Sequence, residues 1–74
     1  MYEIYHIESL GPEADGGRII RRILVRTDAV EVAKERAMKV MQKARLPQAT
    51  GPEVEVVRVR NGAGHEVFSV SVRD

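Results

Sequence analysis

The chain has 74 residues, and its 12 Lys and Arg against 11 Asp and Glu give a net charge of +1. This length fits one small domain over residues 1–74, and the small net charge argues against a general polyanion binder. The absence of Cys excludes disulfides and thiolate metal sites and fits a reducing cytoplasm. No apolar run approaches the roughly 20 residues of a membrane span, and the amino terminus lacks the basic segment of a signal peptide. We therefore expect a cytoplasmic protein with no membrane contact.

The first predicted strand covers residues 2–8, which are rich in β-branched and aromatic types. Its phase stays open, because Ile4 and His6 share one face while Tyr5 and Ile7 share the other. Either pair could face a core.

A glycine-rich loop, residues 11–18, follows this strand. The Asp15-Gly16 dipeptide favours a turn with positive φ angles. The loop lacks the Gly-Lys-Ser/Thr ending of a phosphate loop, and the carboxylates of Glu13 and Asp15 would repel phosphate. We therefore interpret it as a turn between strands.

The second predicted strand, residues 18–26, is apolar on both faces. A regular alternation places Ile19, Ile23 and Val25 on one face, and Ile20 and Leu24 among Arg18, Arg22 and Arg26 on the other.

Residues 28–45 change to a helical period, with apolar residues spaced three and four apart. Asp28 and Glu31 fit a capping box, with Thr27 as the alternative cap. Pro47 predicts that the helix ends just before it. The inner stripe consists of Val30, Ala33, Ala37, Met41 and Ala44, widened by Met38 and Val40.

Two further strands close the chain, over residues 53–60 and 65–73, joined by the turn signal Asn61-Gly62-Ala63-Gly64. The alternation of the third strand changes face at Val56-Val57, which a β-bulge would explain. In the fourth strand, the side chains predicted to face the helix are Phe68, Val70 and Val72. We expect Ile19, Ile23 and Val25 of the second strand to lie on the same side of the sheet.

This order predicts an α+β fold, a two-layer sandwich of a four-stranded antiparallel sheet (β-β-α-β-β) with one helix on one face. The strand orders 2-1-3-4 and 1-2-4-3 both satisfy the connections, and the sequence does not choose between them.

The Ala-rich helix after Asp28-Ala29 and the closing hairpin Val54–Val72 around the Asn-Gly-Ala-Gly turn resemble small uncharacterised bacterial proteins of β-β-α-β-β build. The resemblance covers most of the chain. It implies the same fold and transfers no catalytic or binding residue.

No grouping of residues indicates an enzyme. A zinc site needs three or four ligands, whereas His6 and His65 are the only histidines and would meet only if the first and fourth strands pair. Glu53 and Glu55 fit solvated charges at a sheet edge. We therefore expect a non-enzymatic protein with no catalytic residue, metal or cofactor.

An interaction surface is the stronger expectation, because one helix covers one face of a sheet and leaves apolar residues on the other. We expect protein interaction or self-association there, with a homodimer as the commonest outcome. The alternative is nucleic-acid binding through the strand-2 arginines, although few aromatic residues are present to stack on bases and carboxylates can neutralise the arginines. The predicted surface consists of Arg18, Ile20, Arg22, Leu24, Arg26 and Val67, and the candidate acids are Glu3, Glu8, Glu53 and Glu55.

Overall fold

The computed structural model describes residues 2–12, 16–46 and 51–72. Its elements are β1 (Glu3–Leu10), β2 (Ile19–Thr27), α1 (Val30–Ala44), β3 (Val56–Arg60) and β4 (Glu66–Ser71). The predicted α+β fold, with one four-stranded antiparallel sheet and one helix, is confirmed.

The strand order is β2-β1-β3-β4, which selects one of the two orders that the sequence left open. β1 pairs antiparallel with both β2 and β3, so β2 and β3 run in the same direction on either side of it. α1 therefore crosses the sheet to connect them, as a connection between parallel strands requires.

The core lies between α1 and the face of the sheet that carries Tyr5 and Ile7, which decides the phase of β1. Ala33 and Ala37 are fully buried, and their small side chains let the helix lie close to the strands. The buried apolar set is Tyr5, Ile7, Ala33, Ala37, Met41, Val57, Val59 and Val70, with Ile23, Val25, Val30, Val40, Val54 and Phe68 packed against it.

Four residues predicted for this core are not part of it, and of these Ala44 is half-buried at the end of α1. Ile19 is exposed because a register shift at Ser9/Leu10 interrupts the alternation of the first hairpin. Val72 is exposed because β4 ends before it. Met38 is exposed on the outer side of α1 and does not widen its inner stripe.

The helix begins without the predicted capping box. Ala29 is the N-cap residue, and no side chain caps the helix there. Thr27 Oγ1 instead accepts a hydrogen bond from the backbone N–H of Ala29 at 3.1 Å, which shapes the turn just before the helix. The predicted stop at Pro47 lies outside the described residues.

The predicted bulge at Val56-Val57 is wrong. The β1–β3 register continues through both residues, and Val57 faces the core while Val56 points away from it. Val54 also packs against the core, so the change of face occurs just before β3 begins. The irregularity in the second hairpin lies at Val59/Arg60.

The predicted second turn is confirmed. Asn61 Oδ1 accepts hydrogen bonds from the backbone N–H groups of Ala63 and His65, at 3.0 and 2.9 Å. Gly64 adopts a φ of 88°, which only glycine takes without strain. The turn therefore sets the connection between β3 and β4.

No helix in the described part of the chain has the length and hydropathy needed to cross a membrane.

Candidate functional site

The candidate site lies on the face of the sheet that points away from α1, which we call the open face. It is built around Glu8 of β1. Arg22 on β2 and Arg58 on β3 are the residues directly opposite Glu8 in the two neighbouring strands. Directly opposed residues of paired strands point to the same face, so the sheet itself brings these three side chains together.

Three arginines converge on the Glu8 carboxylate. Arg58 Nε donates to Oε1 at 2.6 Å, and Arg22 Nε donates to Oε2 at 2.9 Å. Arg22 Nη2 forms an ion pair with the same oxygen at 2.9 Å. Arg60 Nη2 donates to Oε2 at 3.0 Å. Glu8 is fully buried beneath them. We call these four residues the arginine–glutamate cluster.

Burial of the Glu8 carboxylate acts to raise its pKa, because a low-dielectric environment disfavours the charged form. The hydrogen bonds from Arg58 and Arg22 and the charges of Arg58 and Arg60 act in the other direction. Together these interactions with the arginines outweigh the effect of burial. The pKa of Glu8 therefore lies below its ordinary value of 4.5. Glu8 is therefore a carboxylate, and its negative charge holds the cluster together.

The cluster keeps an excess of two positive charges, since one carboxylate faces three guanidinium groups. The side chains of Arg22, Arg58 and Arg60 are 47%, 29% and 32% exposed, so each also reaches solvent. Arg60 Nε and Nδ1 of His6, the residue opposite Arg60, are buried and hydrogen-bond to no described residue. Part of the hydrogen-bonding capacity of Arg60 is therefore unused within the described residues.

Exposed apolar side chains surround the cluster. Leu24 is 59% exposed and Ile4 47% exposed, and both lie on the open face, since they stand opposite His6 and Arg26. Val67 is exposed on β4, at the other edge of the sheet from β2. The Arg26 guanidinium lies 5.4 Å from the centre of the exposed Tyr2 ring. The open face thus combines cations with apolar surface.

The structure brings together part of the predicted interaction surface. Arg22, Leu24 and Arg26 lie on the open face of β2. Ile20 does not join them, because the register shift at Ser9/Leu10 separates it from Leu24. It borders a groove near the carboxyl end of α1 instead, and Arg18 lies beyond it, before β2 begins.

Sequence reasoning named Glu8 as one of several acids that could neutralise the arginines, without identifying it as the shared partner of three. The pattern did not single it out, since the same strand also carries Glu3, His6 and Ser9. The sequence offered Arg58 or Arg60 as possible neighbours of the strand-2 arginines, but their contact with Glu8 follows only from the place of β3 beside β1.

The sheet does not pair the strands of the two histidines. β3 lies between β1 and β4, so His6 and His65 are not on paired strands. Within residues 2–12, 16–46 and 51–72, no group of three or more His, Cys, Asp or Glu side chains is placed to hold a metal ion.

Comparison with known proteins gives no significant match to a family model, a curated protein or a solved structure.

Proposed function

We propose that the protein is an interaction module that binds a partner protein through the open face of its sheet. The observation that carries the proposal is the set of exposed side chains Ile4, Leu24 and Val67 around an ordered cationic centre. α1 covers the other face, and among the described residues no helix lies on this one. Apolar side chains left exposed on an uncovered sheet face favour an interaction surface there.

The charge of the open face indicates a partner with acidic groups. Arg26 adds to the three arginines of the cluster, and the acids placed with these arginines by the described strand pairs are Glu8 and Glu66, the latter opposite Arg60. Arginines still outnumber acids there. A second copy of the chain, packed face to face, would bring the same excess of positive charge against itself. An acidic partner segment with apolar side chains would meet both features of the surface.

The arginine–glutamate cluster also favours binding through preorganisation. Glu8 holds the guanidinium groups of Arg22 and Arg58 through their Nε atoms. Their positions are therefore restricted before a partner arrives, which lowers the entropy lost on binding. Guanidinium groups pair with carboxylates through two parallel hydrogen bonds. A partner carboxylate is thus the group that this centre suits.

The alternative, nucleic-acid binding through the strand-2 arginines, receives less support from this face. Arg22 is bound to Glu8, and Arg26 lies over Tyr2. Neither is a free cation of the kind that a phosphate backbone recruits.

The experiment uses two labelled peptides, one alternating Glu with Leu and one alternating Lys with Leu, titrated with the full chain by fluorescence anisotropy. We expect the acidic peptide to bind and the basic one not to bind. Leu24→Glu removes an apolar contact and adds a repelling charge, so it should abolish binding. Met38→Glu, at an exposed site on the outer side of α1, is the matched control and should bind as the parent does.

Equal binding by the two Glu variants, or no preference for the acidic peptide, would contradict the proposal. Sedimentation velocity over a wide concentration range tests the predicted homodimer. A dimer that Leu24→Glu dissociates would show that the open face binds a second copy and would replace the acidic partner.

A further inference from the structure

A second basic surface lies on the other side of β2, in a groove of about 400 Å³ between this edge strand and α1. Its size is within the roughly 300–1,000 Å³ typical of small-molecule sites. We call it the basic groove. It is lined by Arg21, Ile23, Arg36, Lys39, Val40 and Lys43.

The groove exists because the helix does not lie centrally over the sheet. α1 packs most extensively against β3 and less against β2, the edge strand on the far side of β1. Arg21 stands opposite the buried Ser9, on the face that α1 covers elsewhere. A charged residue there stays solvated only because the helix leaves this strand partly open.

The cations of the groove are largely unneutralised. Lys39 pairs with Glu35 at 3.4 Å, with both side chains well exposed. The side chains of Arg21, Arg36 and Lys43 form no hydrogen bond or ion pair with any residue that the structure describes, and no acidic side chain is among the described residues that line the groove. Three free positive charges therefore face one concave surface.

The usual preference of basic residues for the exposed side of a helix explains the positions of only some of these cations. Lys43 lies in the last turn of α1, where the helix dipole favours a cation. Arg36 lies in the middle of the helix and Arg21 lies on a strand, so the dipole explains neither. The convergence of cations from two elements is a feature of the tertiary structure.

We propose that the basic groove binds a ligand that carries two or more phosphate groups. Arg36, Lys39 and Lys43 are three and four residues apart, so they line one side of α1 over about 10 Å. Arg21 faces them from β2. Guanidinium groups bind phosphate oxygens in pairs, while the lysine ammonium acts as a point charge. Several phosphates can therefore be neutralised together.

The proposal is independent of the open face, because the two surfaces lie on opposite sides of β2. The described residues that line the groove include no aromatic side chain, so they offer no platform for base stacking. Recognition would rest on the phosphate groups, whether they belong to a free polyphosphate or to a nucleic-acid backbone.

The test uses a labelled single-stranded oligothymidine of about twelve nucleotides, with tripolyphosphate as an unlabelled competitor. The slope of log K against log salt is about −0.7 per phosphate neutralised on a single strand. Three free cations therefore predict a slope near −2, which is about a 20-fold loss of affinity between about 50 and 200 mM salt. Displacement by tripolyphosphate would assign the site to free polyphosphates, and resistance to it would assign the site to the polymer backbone.

Arg21→Gln and Lys43→Gln should each weaken binding several-fold and reduce the slope by about 0.7. The matched controls are Arg26→Gln, on the same strand but on the open face, and Lys34→Gln, on the same helix but beside Phe68. Both should bind as the parent does. Absence of binding by both probes, or controls that lose as much affinity as the groove variants, would overturn the proposal.

Discussion

The two basic surfaces of this protein lie back to back on β2 and differ in how their charges are balanced. On the open face, Arg22 shares the buried carboxylate of Glu8 with two other arginines. In the basic groove, Arg21 has no partner among the described residues. Adjacent residues of the same type thus have different roles, because strand alternation turns them to opposite faces.

The comparison shows which basic residues hold the fold together and which remain available to a ligand. A buried charge is tolerated only when it is paired and hydrogen-bonded, so the arginines around Glu8 are part of the structure. Exposed cations keep their water and contribute little to stability, so the groove can be altered without affecting the fold. Substitutions on the two faces should therefore give separate results.

The largest expected effect is that of Glu8→Gln, which leaves three guanidinium groups without their shared anion. Breaking a buried ion pair costs about 3–5 kcal/mol, and the partial exposure of the arginines places the loss near the lower end. About 3 kcal/mol corresponds to a fall in Tm of roughly 12–24 °C for a domain of this size. Thermal unfolding followed by circular dichroism measures it.

Glu35→Gln is the control for this substitution, since it removes an exposed ion pair worth at most about 0.5 kcal/mol. An equal fall in Tm in the two variants would show that the buried carboxylate of Glu8 stabilises the fold no more than an exposed one.

The next effect is the acid dependence of stability. The pKa of Glu8 in the folded protein is lower than its ordinary value of 4.5, so the unfolded chain binds the proton more tightly. Ionised Glu8 therefore stabilises the fold above about pH 4.5, and this contribution is lost as the pH falls through its native pKa.

Urea unfolding between pH 6 and pH 3 should show the parent losing stability more steeply than Glu8→Gln, which has no carboxyl group at this position. Parallel pH profiles would mean that other carboxylates cause the acid sensitivity.

The smallest expected changes in stability are those of the neighbouring residues Arg22 and Arg21, each replaced by Gln. Arg22→Gln should destabilise the fold by about 1.5 kcal/mol or more, the value of a hydrogen bond to a charged group. Arg21→Gln removes a cation that faces other cations, so it should stabilise the fold by a few tenths of a kcal/mol at low salt. The gain should disappear near 1 M salt, where the screening length is about 3 Å.

Chemical unfolding at two salt concentrations measures both variants. A similar loss of stability in the two would show that the faces of β2 do not differ in charge balance.

Local patterns in the sequence were enough to predict the strands and the helix and their order along the chain. The period of three and four residues through Ala33 and Ala37 predicts α1 and its buried side, because a helix exposes or buries residues by their angle around its axis. The Asn-Gly-Ala-Gly segment predicts the second turn through its backbone preferences. These features depend on residues close together in the chain.

The arginine–glutamate cluster and the basic groove were decided by the tertiary structure. Glu8 and Arg58 are 50 residues apart and meet only because β3 takes the place beside β1. The register shift at Ser9/Leu10 moved Ile20 away from the face where regular alternation had placed it. The groove depends on where α1 lies over the sheet. Composition and alternation show which residues are charged and which share a face within a strand, but strand order, register and helix position arise from packing among distant parts of the chain.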